Sequence, residues 1–337
     1  MNITVPQRPS LTYLIRPQAG RSAEMQALWQ WIVAEDAKDP DTSRQLTAQE
    51  GRALSARLTR RWNVDMPEMA RIEKFSLPGL GGAPPIAAEM IVPLVARPGC
   101  ILFVHGGGWA HCDMATHQRA MRLLAQEAGV PVLGINYRLA PEHPYPAPLE
   151  DVLAGWRWLV AEAGRNPALA GPLAIAGDSA GANLALSAIM RENELGRPAP
   201  HAGLLFYGIF SANLESPSYQ RFATGYGLSQ EQMRRFWDWY LPGSSPDAAR
   251  YETIVNQVTA GEAVLAKLPP LFLNAAGLDV LLCDTLALAG RLETAGTSHE
   301  LVIHEGVHHG FMQFSARLEE ARRAFRLAGD YFRRTFA

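Results

Sequence analysis

Cysteine is scarce in this chain: there are three in 337 residues, Cys100, Cys112 and Cys283. They are odd in number and widely spaced, so neither a disulfide framework nor a cysteine-based zinc site is expected. Such usage suits a reducing, cytoplasmic setting. Long apolar runs are missing as well. With no stretch of about 18 uncharged apolar residues, no membrane span is expected. The first twenty residues carry prolines and arginines and lack the apolar core of a secretion signal. Excess charge is also lacking. Lys and Arg number 31 and Asp and Glu 33, a net charge of −2, so no nucleic acid or other polyanion partner is implied. Neither the GxGxxG fingerprint nor a P-loop lysine is present, which argues against a nucleotide site.

What is present is ample core material, 48% hydrophobic and 19% charged residues. The chain opens with a Pro-punctuated stretch expected to be extended. Ser22 to Ala37 reads as a helix, with Met25, Leu28, Trp29 and Ile32 at helical spacing. Thr47 and Glu50 form a capping box that opens a second helix running to about Trp62. These helices are expected to pack on the main body or to cover something.

Strand signals follow at Arg71 to Leu77 and Ile86 to Val95. From residue 100 onward strands and helices alternate. The expected strands are Cys100–Val104, Val130–Ile135, Leu173–Ala176, Gly203–Tyr207, Leu271–Ala275 and Glu300–His304. The intervening helices are expected at Met114–Glu127, Leu149–Ala163, Ala182–Arg191, Asp284–Ala295 and Ser315–Phe336. Such alternation means an α/β fold, a mostly parallel sheet with helices on both faces. About sixty residues interrupt it between the strands near 203 and 271. They include an aromatic-rich helix, Ser229–Leu241. An excursion from a strand's carboxyl end lies on the ligand-binding face of open α/β sheets, so a lid is expected there.

The chemistry centres on Gly177-Asp178-Ser179-Ala180-Gly181, between an apolar run and an Ala/Leu-rich helix. Alone, this pattern also fits an ordinary Gly/Ser turn. As a nucleophile elbow it would hold the Ser179 hydroxyl exposed on a tight turn, where glycines avoid crowding strand and helix. A serine nucleophile needs a base and a carboxylate to orient that base, in the order Ser, Asp, His for this architecture. Asp279 follows one strand and His309 another, both at the sheet edge that carries Ser179. Gly106, Gly107 and Gly108 directly follow a buried strand. They could turn backbone N–H groups toward a developing oxyanion.

His105-Gly-Gly-Gly-Trp109, the run YRLAPEHPYPAPLEDV at 137–152, GDSAG at 177–181 and His309-Gly-Phe311 together resemble the bacterial hormone-sensitive-lipase-like family of α/β-hydrolase carboxylesterases. The resemblance runs from about residue 70 to the end and is nearest to the acetyl-esterase branch. It implies Ser179 as nucleophile, Asp279 and His309 as its partners, and the N–H groups of Gly107, Gly108 and Ala180 as oxyanion donors. Trp109 and Tyr207 are the expected substrate-binding residues. A cap is implied from residues 1–66 and an insertion at about 211–250, over a catalytic domain at 67–337.

The family's Asp-Pro-Leu is Asp279-Val280-Leu281 here. Ala182 replaces a second glycine after the elbow, and His111-Cys112-Asp113 replaces the usual Gly-Ser near the pocket mouth. The expected activity is hydrolysis of short-chain acyl esters, acetate to about hexanoate, through an acyl-enzyme. An amidase or deacetylase on the same residues, and a non-catalytic ligand-binding protein on the same scaffold, are the alternatives. No metal or organic cofactor is expected. A metal site from His304, His308 and His309 lacks fixed ligand spacing. His111, His117, His143, His201 and His299 are expected at the surface or behind the site. A homodimer is possible.

Overall fold

The computed structural model describes residues 20–43, 46–242 and 253–337. The extended start expected over residues 1–19 and the end of the excursion, 243–252, lie outside them. Among the described residues two helices come first. The Ser22 hydroxyl accepts the Met25 N–H at 3.1 Å and starts α1, Ala23–Asp36, which buries Met25, Leu28 and Ile32. The expected capping box of Thr47 and Glu50 is formed and opens α2, Ala48–Thr59.

Eight strands make one sheet: β1 (Met69–Leu77), β2 (Ile86–Pro93), β3 (Cys100–Val104), β4 (Val132–Ile135), β5 (Leu173–Asp178), β6 (Ala202–Phe206), β7 (Leu271–Leu278) and β8 (His299–His308). Their order is β1-β2-β4-β3-β5-β6-β7-β8. β1 pairs antiparallel with β2, and β2 with β4. All remaining pairs are parallel. The strands from β3 to β7 are buried along their whole length, as unbroken apolar runs require when both faces are covered.

Helices α3 (Gln118–Ala128), α4 (Ala147–Ala163), α5 (Ala180–Glu194), α6 (Pro217–Arg221), α7 (Gln230–Tyr240), α8 (Glu262–Leu265), α9 (Leu282–Thr294) and α10 (Glu319–Thr335) complete the layers. One apolar cluster joins the sheet to α4, α5 and α9 through residues such as Val152, Leu186 and Leu288. The other joins it to α1, α3 and α10 through Leu28, Leu124 and Phe325. Arg322, Arg323 and Arg326 of α10 pair with Glu319 and Glu320 away from its buried apolar side. Among the described residues no helix is long and apolar enough to cross a membrane.

Element ends depart from the sequence expectation where side chains intervene. Asp113 and Thr116 exchange hydrogen bonds at 3.0 and 2.8 Å, forming a turn that delays α3 from Met114 to Gln118. β2 stops at Pro93, leaving Leu94 and Val95 exposed. A 3-10 turn at Phe311–Phe314 precedes α10, which starts at Glu319 rather than Ser315. The parallel strands bring their carboxyl ends to one edge. The loops after β3, β5, β7 and β8 meet there.

Candidate active site

Ser179 joins β5 to α5 with φ 55° and ψ −120°, a conformation L-residues seldom adopt. The flanking glycines make the turn possible. A Cβ on Gly181 would stand 2.0 Å from the Val104 carbonyl oxygen, and one on Gly177 2.4 Å from the Gly181 backbone. The glycine spacing in the sequence therefore reflects direct strand–helix contact.

Oγ of Ser179 lies 2.9 Å from Nε2 of His309. Nδ1 of the same ring lies 2.7 Å from Oδ2 of Asp279. Asp279 is buried, and its Oδ1 accepts the Leu281 N–H at 3.0 Å, which closes the turn where the family carries proline. These three residues, up to 130 positions apart, thus form one hydrogen-bonded chain across three loops. With Nδ1–H donated to Asp279, Nε2 is the acceptor for the serine hydroxyl.

Gly107 and Gly108 have φ of +112° and +59° and lie beside Ser179 in the same cavity. Ala180 is the first residue of α5, so its N–H is one of the donors that a helix leaves without an internal partner. Two of the three expected oxyanion donors thus share a cavity with the serine, and the third follows it in the chain.

Sequence reasoning missed what holds the glycine loop. Asp178, next to the serine, accepts the Gly106 N–H through Oδ1 at 2.9 Å. The same oxygen lies 3.3 Å from Nε2 of His117. Burial works against the Asp178 charge, but the His117 ring and the Gly106 N–H outweigh it and hold the carboxyl below its ordinary range. On the other side of the loop, Tyr137 donates its hydroxyl to the His105 carbonyl at 2.9 Å and stacks on the His105 ring. Burial, helped by His117, pushes His105 down to about 4 and keeps it neutral. His117 is buried and lines the cavity. Only its place four residues after Asp113, past the glycine loop, could have hinted at this.

The cavity at Ser179 has a volume of about 270 Å³. Its wall includes Gly107, Gly108, Cys112, His117, His309, Gly310 and Gln313 from the main body, Thr59 from the end of α2, and Gly227, Leu228, Gln232, Met233 and Phe236 from the excursion.

Two expected substrate-binding residues are not on this wall. Trp109 is wholly buried, stacked on Tyr240 at 4.3 Å and tilted against Trp237 at 4.7 Å. Its large ring anchors α7 to the glycine loop instead of facing a ligand. Tyr207 is also buried, edge-on to the His309 ring at 5.1 Å, and backs that ring from inside the protein. The three histidines considered for a metal are each committed elsewhere. His304 contacts Glu320 and Asn274, His308 accepts from Arg21, and His309 joins Asp279 to Ser179. Among the described residues there is no cluster of three or more His, Cys, Asp or Glu able to hold a metal.

Comparison with known proteins identifies the family. Residues 101–313 match the model of an α/β-hydrolase-fold family. The chain is 34% identical to a carboxylesterase (NlhH) of Mycobacterium tuberculosis, over 74% of this chain and 78% of that protein. It is 31% identical to an ethyl acetate hydrolase of Pseudomonas putida, over 86% of this chain and 82% of the relative. The solved structure of an esterase from the bacterial hormone-sensitive lipase family superposes with a TM-score of 0.80 at 29% identity, covering 95% of this chain and all of that one (100%). A protein with this fold and these relatives is a carboxylic ester hydrolase and belongs to the hormone-sensitive-lipase-like family of the α/β-hydrolases.

Proposed function

We propose that the protein hydrolyses short-chain acyl esters through an acyl-enzyme on Ser179. The observation that carries this reading is the unbroken contact chain Asp279–His309–Ser179 beside Gly107 and Gly108. Oγ attacks the ester carbonyl while Nε2 of His309 takes its proton. Asp279 orients the ring and stabilises the imidazolium. The carbonyl oxygen becomes an oxyanion held by the N–H groups of Gly107, Gly108 and Ala180, each worth about 2.7–4 kcal/mol if it behaves like other such donors. The intermediate collapses, the carbonyl–alkoxy bond breaks, and His309 returns the proton to the leaving oxygen. Water then attacks the acyl-enzyme, giving a proton to the same ring, and Ser179 leaves with that proton.

The short-chain preference rests on the modest cavity, about 270 Å³, floored by the glycine loop and walled by Met233 and Phe236. In this reading α1, α2 and the excursion from about residue 211 form a cap over the site, since Thr59 and five excursion residues complete its wall. A fluorophosphonate probe mapped by mass spectrometry tests the nucleophile, and should label Ser179 and no other serine. A p-nitrophenyl acyl series with an N-acetyl anilide beside it tests the substrate. Turnover should be highest at acetate to about hexanoate. Preference for chains beyond about ten carbons, or for the amide, would overturn the reading.

A further inference from the structure

A second cavity of about 230 Å³ lies between α2 and α7. It does not touch Ser179, but it shares two wall residues with the cavity that does, Gln232 and Phe236. These stand four residues apart on α7, so they occupy one face of that helix, one above the other. The shared face is therefore a partition with a chamber on each side.

The ring of Phe236 is the substantial part of that partition, and it is held from three directions. It lies directly on Gly108, where a Cβ would come within 2.4 Å of the ring. The His111 ring meets it edge-on at 5.3 Å, and Trp239 lies 6.1 Å away. His111 is itself wedged against α2, since a Cβ on Gly51 would stand 2.4 Å from its Nε2. Gly108 and Gly51 thus make room for a Phe236–His111 wall that closes the far chamber from the serine. That chamber has a mixed lining, with Leu54, His111 and Trp239 beside the polar Thr42, Ser55 and Arg235.

We infer that Phe236 sets the acyl-length limit of the enzyme, by closing the Ser179 cavity on the acyl side and shutting off the chamber behind it. This rests on the esterase reading above and names which half of the ester is measured. The proton from His309 must reach the leaving oxygen, so the alcohol lies on the side of His309, Gly310 and Gln313. The oxyanion points at the glycine loop. The remaining substituent of the carbonyl carbon, the acyl chain, runs along Gln232 and Phe236. A chain that ends short of the ring fits, and a longer one meets it. Short linear acyl groups are thus the class accepted, and the far chamber is space the wall withholds.

The experiment compares Phe236→Ala, Phe236→Leu and Phe236→Trp with the wild type on p-nitrophenyl acetate, butyrate and octanoate, and on ethyl and octyl acetate. Active sites are counted by fluorophosphonate labelling, so that misfolded protein does not enter kcat. Because one added methylene against an apolar wall is worth about tenfold, and Leu54 and Trp239 supply such wall, Phe236→Ala should raise the octanoate-to-acetate ratio of kcat/KM by about tenfold. Phe236→Leu should raise it less, and Phe236→Trp should lower the butyrate-to-acetate ratio. The octyl-to-ethyl acetate ratio should stay near the wild-type value. An unchanged acyl profile in both Phe236→Ala and Phe236→Leu overturns the inference. So does a profile that moves in the alcohol series and not in the acyl series. Failure of the esterase reading would show differently, as wild-type protein that neither turns over p-nitrophenyl acetate nor takes the label at Ser179.

Discussion

Arg21 donates from Nε to Nε2 of His308 across 2.6 Å, tying the residue before the first helix cap to the neighbour of His309. The same guanidinium reaches the Gly225 carbonyl of the excursion and lies over the rings of Trp29 and Tyr226, at 5.4 and 5.0 Å. Burial, reinforced by the Arg21 charge, pushes His308 down to about 3. Two adjacent histidines therefore have different surroundings. His308 is a neutral acceptor in a clamp, and His309 faces the serine.

Replacing each by alanine separates the two. His309→Ala should lower kcat by a factor on the order of 10⁴ to 10⁶, as removal of a general base does in comparable triads. His308→Ala should keep most turnover and lower the melting temperature. Arg21→Gln should raise KM for butyrate esters more than it lowers kcat, since Gly227 and Leu228 of the cavity wall follow the clamped residues directly. Loss of turnover in His308→Ala with retention in His309→Ala would reverse the assignment.

Two buried histidines should make the protein sensitive to acid. His105 is held down to about 4 and His308 to about 3, each chiefly by burial, against 6.5 in an open chain. Between those values the unfolded chain binds protons that the folded one refuses. The stability these two rings contribute is therefore fully present above about pH 6.5 and falls as the pH drops toward 4, by up to about 1.4 kcal/mol per pH unit for each ring. Urea midpoints measured from pH 7 to 4.5 should show this slope. His308→Gln should make it shallower by about one proton.

Asp178 is expected to act on rate. It links the elbow to the glycine loop through the Gly106 N–H. Asp178→Asn should loosen that loop and reduce kcat up to about 100-fold with little change in KM, the cost of a small misplacement of a group that acts in the transition state. Because its carboxyl is held low, the stability it contributes is present above about pH 3.9 and lost below it, so the variant should also lose this acid limb. A lower melting temperature with unchanged kcat would make Asp178 structural only.

Asp284 should behave in the opposite sense. It is buried, with Oδ2 accepting the Phe210 and Ser211 N–H groups at 3.2 and 3.0 Å. Burial, with the nearby Asp279 charge, pushes its carboxyl well above the ordinary range despite those two donors. The folded chain then keeps a proton that the unfolded chain gives up above about pH 3.9, so stability declines as the pH rises. Asp284→Asn retains an acceptor oxygen without the charge. Its stability relative to the wild type, read from urea midpoints, should increase from pH 5 toward pH 8, by up to about 1.4 kcal/mol per pH unit until the folded carboxyl ionises.

Much of the fold and the triad was legible in the chain because the constraints on them are local. A strand buried on both faces must be an apolar run, as Cys100–Val104 is. A serine pressed between strand and helix must have glycines beside it, since side chains at Gly177 and Gly181 would collide with backbone. An α/β sheet of parallel strands then delivers every strand–helix loop to the same edge. The order Ser179, Asp279, His309 was therefore enough to anticipate the meeting of three distant side chains. What no local pattern carries is which way a large ring turns once the layers pack. Trp109 and Tyr207 follow strands at the reacting edge, yet both rings lie in the interior, because α7 offers Tyr240 and Trp237 to one and the His309 loop covers the other. The pairing of Asp178 with Gly106, the clamp of Arg21 on His308 and the seat of Phe236 on Gly108 join residues from 72 to 287 positions apart. Contacts of that range depend on how a long excursion and two leading helices settle on a finished sheet, which packing decides and hydrophobic periodicity does not encode.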